Sequence, residues 1–362
     1  MTTAAASMVT ELVGDQAGRW DREGRLPAEL LRRLASGGLL CPQVPAAYGG
    51  LGMTGLEAGE FTAHVGSLCG SLRSVLTSQG MAAWVVQRLG TAEQRAAYLP
   101  KLASGTLAGV AFSERSAGSD LSAIATRISD DGDDIVVQGE KTWVTGAAYA
   151  DLLIVFGRDG VALVPARAHG VRVEPVAQPL GCRAGGHATV SLDEVRLPRG
   201  NRLGTGRRPI GMQITSALTY GRLSVAWGCV GILRACLAAA VAHARTRSQF
   251  GRPLAEHQLV ARYLAELLVT EQSATRVCEH ASRCWDLGRP EVVTAVVVAK
   301  HLSASGAARG AASAVQVLAS AGAHDDHVVA RAYRDAKVME IIEGSSEISQ
   351  LLLAEHAIAE WS

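Results

Sequence analysis

The chain has 362 residues with 35 basic and 34 acidic side chains, and a net charge of +1 leaves no basic face of the kind a nucleic-acid binder needs. Hydrophobic residues make up 48% and charged residues 19%, enough to bury a large core in two or three domains. No apolar run reaches the ~20 uninterrupted residues of a membrane span; the longest candidate, 223–244, is broken by Arg234 and rich in Ala and Gly, as suits a buried bundle helix.

The first residues, Met1-Thr2-Thr3-Ala4-Ala5-Ala6, lack the basic region and apolar core of a secretory signal, which predicts a cytoplasmic protein. Cys41, Cys69, Cys182, Cys229, Cys236, Cys278 and Cys284 are odd in number and never in C-x-x-C spacing. They read as small buried hydrophobes in a reducing compartment. Small molecules are the expected partners, with neither nucleic acid nor membrane.

Residues 1–108 show helical periodicity, with apolar positions recurring at three and four in Leu26–Leu34 and Ala92–Leu102. Tyr48–Gly52 interrupts them as a turn. From 109 to 207 the period becomes two, with β-rich runs at Asp134–Gln138, Lys141–Thr145, Leu152–Phe156, Val161–Val164, Val171–Val176 and Thr189–Leu197. From 208 to 362 helical segments return at about 211–245, 256–286, 290–320 and 327–342, with a last one to about 360. Several are apolar around most of their circumference, the mark of a bundle buried by its neighbours or by another subunit. The order predicts an α+β chain of an all-α domain, a compact β domain and a helical bundle. No G-x-G-x-x-G follows a strand and no G-x-x-x-x-G-K-[ST] occurs, so a dinucleotide must be held by neither a Rossmann site nor a P-loop.

Four segments carry candidate chemistry. Ala111–Asp120 offers the Ser113 hydroxyl, approachable backbone at Gly118 and the small polar Ser119, groups that can meet a ring edge and a phosphate; it also reads as an ST-rich turn capped by Asp120. In Lys141–Thr145, strict alternation places Trp143 and Thr145 on one face, so that an aromatic plane and a hydroxyl address one ligand; the rival is a core tryptophan with an exposed threonine. Arg245–Gly251 and Glu256–Gln258 supply a cation at Arg247, an apolar ring at Phe250 and a polar group at Gln258, or form a solvated turn between helices. In Glu343-Gly344-Ser345-Ser346-Glu347, a carboxylate that follows Ile341 and Ile342 and precedes a glycine suits a desolvated base with close ligand approach. Taken alone it reads first as a helix junction, with Gly344 and Ser345 starting the next helix and Glu347 completing a cap. His324-Asp325-Asp326-His327 has metal-ligand chemistry but no third ligand set, and reads as surface with no metal.

Taken together in this order, these segments resemble the acyl-CoA dehydrogenase family of flavoproteins over nearly the whole chain. Tyr48–Gly52, Gly90–Gly105, Ala111–Asp120, Lys141–Thr145, Pro179–Arg183, Leu192–Pro198, Arg245–Gln258, Gln316–Gly322 and Arg334–Lys337 leading into Glu343 carry the likeness. Phe112 stands where an aliphatic residue is usual, Arg115 where proline is common, and Ala319 and Ser320 where glycines are common. The resemblance implies an N-terminal helical domain, a middle β-barrel, a C-terminal four-helix bundle and bound FAD. It implies that Ser113 lies against the flavin, Gly118 and Ser119 near the pyrophosphate with Ser119 also beside the substrate, Trp143 beside the isoalloxazine and Thr145 near N5. It places Arg247, Phe250, Gln258, Gln316 and Ser320 on FAD across the subunit interface of a homodimer or homotetramer. It adds Ser345 and Glu347 as cofactor contacts and Arg222 and Gly344 beside the substrate.

The resemblance further makes Glu343 the catalytic base. Some relatives carry that base on the helix beginning Tyr220-Gly221-Arg222, where Gly221 cannot serve. A base of raised pKa in a dry site removes a thioester α-proton while hydride leaves the β-carbon for flavin N5. Electrons then pass to an electron-transferring flavoprotein or another acceptor; an oxidase would pass them to oxygen, and a catalytically silent FAD-binding paralogue would show no flavin bleaching with any acyl thioester. The chain is also similar to the acyl-CoA dehydrogenase-like enzymes of polyketide extender-unit pathways, which make hydroxymalonyl or methoxymalonyl groups on an acyl carrier protein. That likeness widens the substrate from acyl-CoA to an acyl carrier protein thioester, and the donor to a hydrated aldehyde. The basic run Arg199, Arg202, Arg207 and Arg208 suits docking of an acidic carrier or a solvated linker.

Overall fold

The computed structural model describes residues 2–204 and 209–361. Six helices come first: α1 (Thr2–Val13), α2 (Ala17–Glu23), α3 (Ala28–Ser36), α4 (Gly55–Leu68), α5 (Gly70–Leu89) and α6 (Ala92–Ser104). Local chemistry sets the starts of α4 and α6. Thr54 and Thr91 accept from the N–H of Glu57 and Gln94, whose side chains bond back to the cap N–H groups.

Seven strands follow: β1 (Ala108–Ala111), β2 (Arg127–Asp131), β3 (Asp134–Val144), β4 (Leu152–Gly157), β5 (Gly160–Pro165), β6 (Val171–Pro175) and β7 (Ala188–Pro198). They form a sheet β1-β4-β5, with β1 parallel to β4, and an antiparallel sheet β2-β3-β7-β6. Val155 and Val164 of the first meet Ile135, Val137, Val190 and Val195 of the second in one core. Among the described residues no ladder joins the sheets, so two packed sheets stand where a closed barrel was implied. The reason lies in β4, which is buried at every position: Leu153 and Val155 face the sheet core, whereas Leu152, Ile154 and Phe156 pack with Val85 and Val86 of α5 and Leu99 and Leu102 of α6. Periodicity misses β1 because all four residues are buried, and β2 because only Ile128 is. It splits β3 in two where the register shifts between Val137 and Gly139.

The C-terminal part holds α7 (Ile210–Thr246), the hairpin β8 (Ser248–Gln249) and β9 (Arg252–Pro253), α8 (Gln258–Asp286), α9 (Val292–Leu318), α10 (Val328–Ile341) and α11 (Ser346–Glu360). By length and composition α7 is apolar enough to cross a membrane, but here α4, α5, α8, α9 and α10 surround it. A Cβ on Gly231 would sit 2.1 Å from the Ala63 carbonyl, so the glycine lets α4 approach. Arg234, the charge in that apolar run, reaches Glu60 at 2.7 Å and Glu271 at 2.9 Å.

Candidate active site

Glu343 lies just beyond α10, in a turn whose backbone is left-handed at two successive residues, Glu343 (φ 57°) and Gly344 (φ 89°). For a non-glycine this conformation costs about 1–2 kcal/mol and persists where the surroundings over-determine it. Two buried cations do so. Arg222 Nε on α7 donates to the Glu343 carbonyl at 2.9 Å, and Lys300 Nζ on α9 donates to the Gly344 carbonyl at 2.6 Å. Both cations are spent on main-chain oxygens, and neither is within ion-pair distance of the Glu343 carboxylate. Glu343 as a residue is half-buried, but its Oε2 is fully buried and has no hydrogen-bond partner. Burial pushes the carboxyl up to about 7 against the opposing pull of Arg222, Lys300 and Arg73. Burial likewise brings Lys300 down to about 8.

Gly221 faces this carboxylate. A Cβ there would fall 2.3 Å from Glu343 Oε2 and 2.3 Å from Met81 Cε. Positions 221 and 343 therefore address the same point in space, and a side chain at 221 would displace the Glu343 carboxylate or the Met81 methyl. One helical turn along from Met81 and Gly221, Thr77 Oγ1 and Ser224 Oγ meet at 2.7 Å across α5 and α7. Arg73, 1% exposed, donates to Thr77 Oγ1 at 3.3 Å and lies against Met339 Sδ, one turn before Glu343.

Trp143 and Thr145 come together, though not by alternation. The register of β3 shifts between Lys141 and Val144, and Trp143 has φ 56°, so a bulge replaces the expected pleat. The Trp143 ring is 57% exposed, which excludes a core tryptophan. Its centroid lies 5.9 Å from the His187 ring, and Thr145 Oγ1 lies 3.1 Å from His187 Nδ1. Ser113 joins this edge because its carbonyl accepts from Thr142 N–H at 2.8 Å. The segment 179–185 ties the strand to α10: Cys182 N–H donates to Asp335, the Cys182 carbonyl meets His187 Nε2 at 3.2 Å, and a Cβ on Gly181 would strike the Arg334 carbonyl.

Behind Ser113 is a buried ion pair. Lys141 Nζ and Glu114 Oε1 are 2.7 Å apart, with side chains 0% and 7% exposed. Burial alone would raise Glu114, but Lys141, the Thr126 hydroxyl and the N–H groups of Ala125 and Thr126 hold it down to about 2. The pair anchors the loop from 114 to 126, on which Gly118 and Ser119 are exposed. Asp120 accepts from Ser122, so the capped turn and an exposed polar rim coexist. No atom lies within 4 Å of a Cβ built on Gly118.

Ser345 caps α11 by accepting from Ile348 N–H at 3.4 Å, as the helix-junction reading requires. Beside it the Ser346 hydroxyl is buried with no partner, and Glu347 is exposed. Ile342 packs against the bundle core. Arg247, Phe250, Gln258, Gln316 and Ser320 are all exposed, and among the described residues no hydrogen bond joins them to the Trp143 or Glu343 clusters. Phe250 (φ 50°) and Gly251 (φ 77°) form the two-residue turn of the β8–β9 hairpin, which projects the ring at 95% exposure. Ala319 has φ 51°, which explains a preference for glycine there. Asp325 pairs with Arg334 at 2.9 Å and Arg183 at 3.5 Å, Asp326 pairs with Arg22, and His327 caps α10 through Nδ1, so this segment serves the surface and the helix start. Arg202 is bound to the Ile128 carbonyl and Asp130, and Arg199 to Asp130; Arg207 and Arg208 lie outside the described residues.

Models of the acyl-CoA dehydrogenase N-terminal, middle and C-terminal domains match residues 1–106, 109–195 and 211–358. A probable acyl-CoA dehydrogenase, YngJ of Bacillus subtilis (strain 168), is 32% identical over 372 residues, covering 97% of each chain. The chain belongs to the acyl-CoA dehydrogenase family. Members of this family are flavin-dependent oxidoreductases, and the fold and enzyme class follow. Among solved structures, FkbI, described as acting in biosynthesis of the methoxymalonyl extender unit of the FK520 polyketide, is 60% identical with a TM-score of 0.93 over 98% of this chain and 99% of its own. A glutaryl-CoA dehydrogenase from Mycobacterium smegmatis in complex with FADH2 is 25% identical with a TM-score of 0.91, covering 98% and 94%. The residues of this family member fit such a ring: an exposed indole, a hydroxyl at the same edge, and two orphaned buried polar atoms at Glu343 and Ser346.

Proposed function

We propose that the chain is an FAD-dependent dehydrogenase that oxidises a short, oxygenated acyl thioester, with Glu343 as the base, in the making of a polyketide extender unit. The observation that carries this reading is the Glu343 carboxyl, buried, unpartnered at Oε2 and raised to about 7, so that base and acid are both available near neutrality. FAD supplies the hydride acceptor. Ser113, Trp143 and Thr145 would hold its ring and Gly118 and Ser119 its phosphates, with Ser345 and Glu347 meeting the cofactor from the start of α11. Gly344 and Arg222 would border the substrate, with Arg222 acting through the Glu343 carbonyl that it fixes.

The chain's own part in the chemistry is to exclude water and move one proton. Glu343 Oε2 accepts it from the α-carbon of the thioester, or from the hydroxyl of a hydrated aldehyde. The Thr77–Ser224 hydrogen bond joins α5 and α7 about one helical turn from Met81 and Gly221, the residues that face the base. The 60% identity to FkbI, described by its methoxymalonyl extender unit, supports a short oxygenated acyl group, and a carrier-protein thioester is the form we favour.

Arg247, Phe250, Gln258, Gln316 and Ser320 would complete the cofactor site from a second subunit. Leu259, Leu268 and Val269 on α8 and Leu351 and Ile358 on α11 are exposed apolar residues suited to a dimer or tetramer interface. Seven unpaired, buried cysteines support a cytoplasmic enzyme, and an electron-transferring flavoprotein is the acceptor we favour. Anaerobic bleaching of the bound flavin by a panel of CoA and carrier-protein thioesters tests the reading. Bleaching by a short oxygenated acyl group on a carrier protein is expected; bleaching only by unsubstituted acyl-CoA would overturn the substrate assignment.

A further inference from the structure

His187 is 9% exposed and sits between two oxygens of opposite demand. Its Nε2 is 3.2 Å from the Cys182 carbonyl, which can only accept, so Nε2 carries the hydrogen. Burial pushes the ring down to about 4, so at neutral pH there is no second ring proton. Nδ1 is then a bare lone pair, and the Thr145 hydroxyl, 3.1 Å away, must donate to it. The remaining valence of Thr145 Oγ1 is a pair of acceptor sites on its half-buried outer side, beside the exposed Trp143 ring.

We propose that His187 is a positioning residue that commits the Thr145 proton inward, so that Thr145 meets the flavin edge solely as an acceptor and favours the reduced ring. The inference rests on the FAD reading above. An oxidised flavin presents a bare acceptor at N5, whereas the two-electron-reduced ring carries a hydrogen there. An oxygen with no proton to offer opposes the first and bonds the second. The protein thereby raises the oxidising power of its cofactor with two neutral side chains and no added charge. Cys182 supplies the reference carbonyl, and its own N–H is held by Asp335 of α10, so the setting is fixed by the same segment that braces the base helix.

The test is the midpoint potential of the holoenzyme, measured by dye-coupled anaerobic reduction, for wild type, His187→Leu, His187→Asn and Thr145→Val. His187→Leu frees the Thr145 hydroxyl to turn outward and donate to oxidised N5. We expect its preference for reduced over oxidised FAD to fall about tenfold, a drop of about 30 mV for a two-electron couple. His187→Asn, which keeps an acceptor near the Nδ1 position, should recover most of the wild-type potential. Thr145→Val should lower the potential, and adding His187→Leu to it should change nothing further. A wild-type potential in His187→Leu, equal drops in the Leu and Asn variants, or additive effects with Thr145→Val would overturn the inference. If His187→Leu does not fold, the Asn and Val variants decide alone: Asn near wild type with Val lowered supports it, and any other pattern rejects it. Wild-type protein that retains no FAD would instead reject the FAD reading itself.

Discussion

At the scale of single residues, the site depends on two adjacent left-handed residues, Glu343 and Gly344, and on a glycine opposite them. Gly221→Ala places a methyl 2.3 Å from the base oxygen and from Met81, so either the base or the wall must move. We expect FAD to remain bound while flavin reduction by substrate falls at least tenfold; an unchanged rate would show that 221 does not face the base. The working form of Glu343 is the carboxylate, so flavin reduction should rise as pH passes upward through about 7 and level off above it. Folding responds in the opposite sense: a carboxyl raised above its ordinary 4.5 favours the protonated fold, a contribution lost as pH rises through about 7. The local pattern of two isoleucines, a carboxylate and a glycine reads by itself as a helix junction, and only the family resemblance singled out Glu343. His187 was not legible in the sequence, because its role depends on a carbonyl and a hydroxyl 5 and 42 positions away. Arg73 and Lys300 were hidden likewise, since nothing in a local window shows that a lone cation will be fully buried.

At the scale of elements, the flavin edge is held by a bulge and an ion pair. Alternation predicted that Trp143 and Thr145 share a face; they meet at His187 because the strand departs from alternation at Trp143. Lys141 and Glu114, 27 positions apart, join the loop carrying Ser119 to the strand carrying Trp143. Lys141→Met strands a buried carboxylate, and we expect a loss of about 3–5 kcal/mol in denaturant unfolding together with weakened FAD binding. Glu114 is held down to about 2, so its contribution is full above the ordinary 4.5 and is lost as pH falls toward 2. The acid limb of stability should flatten in the variant. Equal stability of variant and wild type would contradict the anchoring role. The long C-terminal helices were the most legible elements, since 3.6-residue periodicity over 14 to 37 residues leaves little ambiguity. Strands β1 and β2 were not, because one is wholly buried and the other almost wholly exposed.

At the scale of the whole molecule, the candidate cofactor residues fall into two groups that one chain does not unite. Ser113, Trp143 and Thr145 lie at one edge, whereas Arg247, Phe250, Gln258, Gln316 and Ser320 project outward. The resemblance read from the sequence implied this division, because it set the second group across a subunit interface, whereas composition and periodicity alone carry no sign of it. If the second group serves a neighbouring subunit, Arg247→Glu should weaken FAD binding at least tenfold by titration of apoprotein while the folding of each chain is unchanged. Undiminished affinity would remove Arg247 from the cofactor site.

In the proposed reaction Glu343 takes the substrate proton. The most direct test of that step is the anaerobic rate of flavin reduction in Glu343→Gln, using a thioester that bleaches the wild-type flavin. A glutamine fills the same space and keeps the Arg222 and Lys300 contacts, which are to main-chain carbonyls, but it cannot accept the proton. We expect FAD to be retained and reduction to slow by about 10²–10⁴-fold; reduction at the wild-type rate would contradict the assignment.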